Sequence, residues 1–325
     1  MLTDQMAIRV DERAADLSQV LAVDRPGAAP RIVAIIPAYN EERFIGSVVL
    51  KTRKYVDTVI VIDDGSTDDT CEVAQAAGAI TVCHRDNCGK GAALNTGLVQ
   101  ARQLEPDVVV MLDGDGQHLP AEMHRVIAPI LSDQADIVVG SRYLEKRSDV
   151  PRHRIWGHWG FNLLTNAMSG VPATDSQSGF RAFSPRAVDA IAFSSQGFSV
   201  ESEMQFLAHD LGLRFREAPI TIRYEDKPKR SVIVHGLLVL NGVLRLVGQH
   251  RPLLFFGVPG MVVLLLGVGW GGWVVQIYRT NDQLAVGYAL VSVLFTILGS
   301  LSLFCGLLLH SIRGFFYHFD QKNSA

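Results

Sequence analysis

From Pro252 to Tyr278 the chain carries no charged residue, and a second uncharged run extends from Gln283 to Ile312. Each exceeds the roughly 20 apolar residues needed to cross a hydrocarbon core about 30 Å thick. Helices buried in a soluble core rarely stay free of charge for so long, so the runs read as membrane spans over 252–278 and 284–312. Only "RTNDQ" (Arg279–Gln283) links them, which implies an antiparallel helical hairpin with both chain ends on one side. Arg245 and Arg251 precede the first span, Arg313 and Lys322 follow the second, and Arg279 alone lies on the far side. This bias predicts a multi-pass protein of the cell membrane with its main domain in the cytoplasm. The opening "MLTDQMAIRVDERAADL" is polar and mixed in charge, unlike a secretory signal. The spans also explain a mean hydropathy of +0.19.

Upstream of the spans the pattern changes period. Residues 1–30 read as an extension, partly helical, that ends in "RPGAAP". From Arg31, short runs rich in Val and Ile alternate with helical spacing. "RIVAII", "DTVIVID", "AITVCH", "DVVVMLD" and "ADIVVGSR" are predicted strands. "EERFIGSVVLKTRKY", "STDDTCEVAQAAG", "GKGAALNTGLVQARQ" and "PAEMHRVIAPIL" are predicted helices, the second capped by Ser66 or Thr67 and stopped by Gly78. Such alternation predicts an α/β domain, 31–230, on a mostly parallel sheet covered on both faces. After Ser141 it loosens: "TDSQSGFRAFSP" reads as a loop or short strand and "VESEMQFLAHDLGL" as a helix. Residues 231–251, apolar with a thin polar stripe of His235, Arg245 and Gln249, read as a juxtamembrane helix lying along the membrane surface.

Charge is polarised along the chain. Residues 1–141 carry 12 Lys/Arg against 21 Asp/Glu, and residues 142–251 carry 15 against 10. The basic part adjoins the spans, which suits anionic headgroups or a lipid phosphate. No basic excess calls for nucleic acid. The four cysteines read as reduced structural thiols, because Cys83 and Cys88 find no second pair to complete a zinc site.

In open parallel sheets the ligand site lies beyond the carboxyl ends of the strands. Three acidic, turn-rich sequences fall there: "PAYNEE", "DDGSTDDT" and "DGDGQH". The last is not a calcium loop, since His118 stands where glycine should be and His124 where glutamate should be. It is not a dinucleotide fingerprint, since Leu119 replaces the third glycine, and "GKGA" at Gly89–Ala92 lacks the hydroxyl of a P-loop. What remains is a hard oxygen set, Asp113, Asp115 and the Gln117 amide, suited to Mg²⁺ or Mn²⁺ shared with a diphosphate.

"IIPAYNEE", "VIVIDDGSTDDT", "GKGAALNTG", "MLDGDGQH", "IVVGSRY" and "DSQSGFRAF" occur in that order. Together they resemble the family 2 glycosyltransferases of GT-A fold, and among these the polyprenyl- or dolichyl-phosphate sugar synthases with a C-terminal membrane hairpin. The likeness spans Arg31 to about Tyr224. It implies that Ala38, Tyr39 and Glu41 hold the base and ribose, with Pro37, Asp63, Asp64, Lys90, Asp113 and Gly114 completing the nucleotide site. It further implies a metal on Asp113, Asp115 and Gln117; His118 reads as structural. Arg142 best matches an acceptor-phosphate arginine, and Arg152, Arg154, Arg181, Lys229 and Arg230 are further candidates. Asp115, Arg142 and Asp175 are the implied catalytic set, and Glu203 matches a glutamate often found there.

The resemblance therefore implies transfer of one sugar, with inversion, from a nucleotide-sugar to a polyprenyl or dolichyl phosphate at the bilayer. UDP-glucose or UDP-N-acetylglucosamine is favoured as donor over GDP-mannose, and homo-oligomerisation is left open. One rival is a processive polysaccharide synthase, but Gln249, His250, Arg251 and Pro252 lack the tryptophan of its Q-x-x-R-W signature. The other is a non-catalytic membrane-anchored GT-A binding protein, which predicts a lost metal motif, whereas Asp113 and Asp115 are present.

Overall fold

The computed structural model describes residues 9–10, 29–145, 162–163, 165–194, 200–222, 241, 248, 251–281 and 285–323, the last with side chains as far as 312. Arg152, Arg154, Lys229, Arg230 and the expected juxtamembrane helix lie outside the described residues, as does most of the extension. The chain divides into two compact units, Met1–Val243 and Leu244–Ala325.

The first unit is built on eight strands: β1 (Arg9–Val10), β2 (Ile32–Ala38), β3 (Thr58–Asp63), β4 (Ile80–Cys83), β5 (Val108–Met111), β6 (Ile137–Ser141), β7 (Arg181–Phe183) and β8 (Phe215–Pro219). They lie in the order β1-β4-β3-β2-β5-β7-β6-β8. The pairings of β2 with β3 and β5, of β3 with β4 and of β6 with β8 are parallel. Two strands run against the rest. Arg9–Val10 pairs antiparallel with the edge strand β4, so this part of the extension is a strand and not helical. β7 inserts antiparallel between β5 and β6.

Helices α1 (Glu42–Thr52), α2 (Thr70–Ala76), α3 (Lys90–Arg102), α4 (Met123–Leu131), α5 (Pro185–Ala190) and α6 (Val200–Asp210) cover the sheet. Strand side chains alternate between faces. Ala34 and Ile36 of β2 pack with Val48 and Val49 of α1 and with Val126 and Ile130 of α4. Val33 and Ile35 point the other way, onto Leu94 and Leu98 of α3 and Met204 of α6. With both faces buried, the central strands need apolar residues at every position, which is why they read as unbroken Val/Ile runs.

Two local expectations are corrected. Helix α2 begins at Thr70 behind Asp69, because the Ser66 hydroxyl turns back to bond Asp63 and is lost as a cap. Cys71 and Cys83 form a disulfide between α2 and the end of β4, so they are not free thiols. The fold sets the first turn of α2 beside that strand end; Cys88 and Cys305 are free.

In the second unit a π-helical turn, Leu253–Gly257, leads into α7 (Val258–Asn281), followed by α8 (Val286–Asn323). Both uncharged runs are thus helices long and apolar enough to cross a membrane. Their backbones touch. A Cβ on Gly267 would lie 2.6 Å from Thr296 N, and one on Gly299 would lie 2.3 Å from Leu264 N. Ser292 Oγ donates to Gly267 O at 2.8 Å and Ser302 Oγ to Phe256 O at 2.8 Å. Small residues at the seam and hydroxyl bonds across it are how helices associate where water cannot drive them together. The outer faces, Leu265, Leu266 and Phe304 among them, are exposed and apolar.

Candidate functional site

The carboxyl ends of β2, β3, β5 and β6 lie along one edge of the sheet, and β7, running the other way, begins there. The loop after β2 is laced to the loop after β3. Asn40 N–H donates to Ser66 Oγ (2.9 Å), Asn40 Oδ1 accepts from Thr67 N–H (2.9 Å), and Glu41 N–H donates to Thr70 Oγ1 (2.8 Å). Asn40 takes a left-handed backbone with φ 53°, which asparagine tolerates better than most residues. Tyr39 is left exposed at the edge beside buried Ala38. Gly114 lies against the carbonyl of Pro37.

Asp63 and Asp64 are both buried but face different partners. Asp63 accepts from the Ser66 N–H and hydroxyl, and burial pushes its carboxyl up despite those bonds. Asp64 accepts from Cys88 N–H (3.0 Å) and Gly89 N–H (2.8 Å) and meets His84 Nδ1 at 2.8 Å. His84 Nε2 in turn meets Thr96 Oγ1 at 3.0 Å. The Asp64 carboxylate is thus occupied in shaping the loop that delivers Lys90; of the two, Asp63 is the one set toward the loop that carries Tyr39.

Lys90, expected to meet a phosphate or base, opens α3 with its ammonium between two acids. Nζ lies 2.6 Å from Asp113 Oδ1 and 2.6 Å from Glu201 Oε1. Burial works against this ammonium, but the two carboxylates outweigh it and hold it above the usual lysine range. Burial likewise pushes Asp113 up, yet Lys90 beside it prevails and brings its carboxyl down to about 2. Asp115 behaves oppositely. Burial, and then the charge of Asp113, push it up, while the Gln117 N–H it accepts at 3.0 Å opposes them.

Gly179 fixes the position of Asp113. The β5–β7 register sets Met111 against Arg181, and so sets Gly179 at the level of Asp113. A Cβ on Gly179 would lie 2.4 Å from Asp113 Oδ2 and 2.8 Å from Oδ1. Gly179→Ala is therefore expected to push the carboxylate from its seat and cut turnover by about a hundredfold, the scale of an ångström-sized misplacement. Initial rates beside a melting curve check this; wild-type rates in the alanine variant would remove the constraint.

His118 lies beneath the turn. Its ring is buried 5.3 Å from that of Phe180, and its Nδ1 accepts from Asp113 N–H at 3.2 Å. An acceptor Nδ1 requires the neutral ring, and burial lowers its proton affinity in the same sense.

On the acceptor side two expectations change. Arg181 is fully buried, with Nε donating to Ser178 O (2.8 Å) and Nη2 to Ser176 O (2.9 Å). It is the first residue of β7 and its side chain points inward, so it braces the loop before β7 and is no surface ligand for a lipid phosphate. Asp175, expected in the catalytic set, is also fully buried. It receives Arg142 through a two-pronged pair, Nε to Oδ2 and Nη2 to Oδ1, both 2.6 Å, with Arg142 N–H at 3.1 Å. Asp175 therefore holds Arg142 at the edge, and the charge of Arg142 reaches Asp113. Glu203 faces away, accepting from Ser194 N–H and hydroxyl at 2.7 and 2.6 Å. Its neighbour Glu201 enters the site instead. The family resemblance singles out Glu203 and gives no reason to prefer Glu201; the one usable signal is that two acids at i and i+2 on a helix must face different partners.

The donor set fits a divalent cation. Asp113 and Asp115 share one turn, burial first and the charge of Asp113 second push the Asp115 carboxyl up, a protein cation already leans on Asp113, and the Gln117 backbone ties its amide-bearing side chain to the same turn. A parallel-dominated sheet with this acidic turn at the carboxyl end of its central strand is the architecture of the GT-A fold. The chain belongs to glycosyl transferase family 2, whose model matches residues 33–192. It is 34% identical to a UDP-N-acetylglucosamine–dolichyl-phosphate N-acetylglucosaminyltransferase of Methanococcus voltae, over 60% of this chain and 86% of that one. It is 33% identical to an undecaprenyl-phosphate mannosyltransferase of Micrococcus luteus, over 65% and 92%. Among solved structures, glucosyl-3-phosphoglycerate synthase from Mycobacterium tuberculosis in complex with Mg²⁺ and uridine diphosphate matches with TM-score 0.55 and 25% identity, over 70% of this chain and 86% of that one.

Proposed function

We propose that this enzyme transfers a single sugar from a nucleotide-sugar to a polyprenyl or dolichyl phosphate at the cytoplasmic face of the membrane, inverting the anomeric carbon. The observation that carries the reading is the Asp113–Asp115 turn, clamped by Gly179 and Lys90 at the sheet edge of a family 2 chain. The two relatives' acceptors, a dolichyl and an undecaprenyl phosphate, support the lipid. A uridine nucleotide is favoured as donor by the first relative and by the solved neighbour. The apolar helices α7 and α8 would span the bilayer, over 252–278 and 284–312, beyond a catalytic domain at 31–230.

Mg²⁺ or Mn²⁺ would be held by Asp113, Asp115 and the Gln117 amide, and when bound supplies positive charge against that growing on the leaving diphosphate. Tyr39, with Ala38 and Asp63, would seat the base and ribose, and Lys90 would steady the diphosphate. The acceptor phosphate is already an anionic nucleophile, so no strong base is required. One of its oxygens forms the bond to the anomeric carbon as the bond from that carbon to the diphosphate oxygen breaks. Arg142 would orient the acceptor with a guanidinium fork, which positions an anion without taking its reactive electrons. Arg152, Arg154, Lys229 and Arg230 are further candidates to supply charge to that phosphate. Positioning and preorganised charge then provide most of the rate.

The test is the purified chain in detergent with polyprenyl phosphate, Mg²⁺ or Mn²⁺ and a panel of UDP- and GDP-sugars. A lipid-linked monosaccharide that disappears on adding a chelator is expected. No donor giving such a product would overturn the reading.

A further inference from the structure

The Lys90 ammonium lies 2.6 Å from Oδ1 of Asp113, a carboxylate assigned above to the divalent ion. The Asp113 carboxylate fills the space beside Gly179 that a side chain at that position would need. Lys90 is also tied, at 2.6 Å, to Glu201 Oε1. Glu201 is 4% exposed, and its second oxygen, Oε2, is buried with no hydrogen-bond partner among the described residues. The crevice around the three charges is walled by Pro37, Leu94 and Met204. Such apolar walls lower the local dielectric and make unbalanced charge costly.

We propose that Lys90 is a tethered cation that guards Asp113, with Glu201 as the positioning residue that holds and receives it, so that divalent-ion binding is conditional on a bound nucleoside diphosphate. This rests on the metal and nucleotide reading above. Without nucleotide, an ion on Asp113 must share the carboxylate with an ammonium or displace it, and like charges at that separation repel more strongly beside apolar walls than in open water. A diphosphate brings negative charge for both cations. Lys90 can then leave Asp113 for the diphosphate and for the open oxygen of Glu201, and Asp113 is freed. The ion and the nucleotide thereby raise each other's affinity by the same factor, as linkage requires. Metal alone in the cell would not load the site, and the ion would enter with the nucleotide.

The test measures Mn²⁺ binding by the loss of the free-ion electron spin resonance signal, on the full chain in detergent, with and without UDP or GDP. In the wild type, one of these nucleotides is expected to tighten Mn²⁺ binding by about tenfold or more, within the usual range of such coupling. Lys90→Met is expected to bind Mn²⁺ alone about tenfold more tightly than wild type, with a smaller nucleotide gain. Lys90→Arg should restore weak binding. Glu201→Gln should loosen Mn²⁺ alone, since Lys90 then leans wholly on Asp113. Because Lys90→Met strands a buried acid, the double variant Lys90→Met/Glu201→Gln provides the same comparison with that charge removed. Neither methionine variant binding Mn²⁺ alone more tightly than wild type would overturn the guard while leaving the metal site standing. No Mn²⁺ bound by any protein, even with nucleotide, would overturn the metal reading and the guard with it.

Discussion

Asp115→Ala is expected to lower sugar transfer by about a hundred- to a thousandfold, the scale seen when one preorganised electrostatic group is removed from a transition state. The fold should survive the change. Asp115 lies in a turn after β5, and the structural bond it accepts is the 3.0 Å one from Gln117 N–H. Burial and Asp113 both oppose its ionisation, so removing it relieves a repulsion. A residue retained against its own electrostatic interest fits one whose charge is satisfied by something that arrives later. Asp113→Ala would make a poorer test, because it strands Lys90 and confuses stability with chemistry. The check is initial rate at saturating donor and metal, alongside a thermal melt. Turnover within about twofold of wild type, with the melt unchanged, would take Asp115 out of the diphosphate-metal site.

The site was partly legible in the sequence, and the limits have physical causes. The acidic turns at Ala38–Glu41, Asp63–Ser66 and Asp113–Gln117 were recognisable as one edge because parallel strands bring their carboxyl ends together. The hairpin was legible because a helix packed in a soluble core seldom goes without charge over a bilayer's width. The insertion of β7 was not legible. Three residues are too short for a period to show, and strand order is set by pairings between segments some seventy residues apart, such as Val109 with Phe183. What depended on β7 was therefore misassigned. Arg181 looked like Arg142 in composition and context, yet the strand turns one inward and leaves the other at the edge. The Lys90–Glu201 pair joins residues that local pattern cannot connect. The Cys71–Cys83 bond has the same origin, since only the packing of α2 against the β4 end brings the two sulfurs together.

Asp175→Ala is expected to destabilise the catalytic domain by about 3 kcal/mol or more, the lower end of the range for removing one partner of a buried ion pair. Asp175 is fully buried and takes three donors from Arg142, while its own N–H and that of Thr174 are held by Glu217 at 3.1 and 2.9 Å. Truncation leaves the Arg142 guanidinium without its carboxylate and loosens the segment leading to Gly179. Asp175→Asn separates an anchoring role from a chemical one. The amide keeps the size and can still accept from Arg142, so the protein should fold with a smaller loss of stability. If Asp175 only holds Arg142, the asparagine variant keeps kcat within about tenfold of wild type and shows its defect as a raised KM for the lipid phosphate, because weakened orientation of the acceptor falls on binding. If Asp175 took a proton in the reaction, the same variant would lose kcat by orders of magnitude at unchanged KM. Thermal melts of both variants and separate kcat and KM for polyprenyl phosphate distinguish the two, and the second pattern would return Asp175 to the chemistry itself.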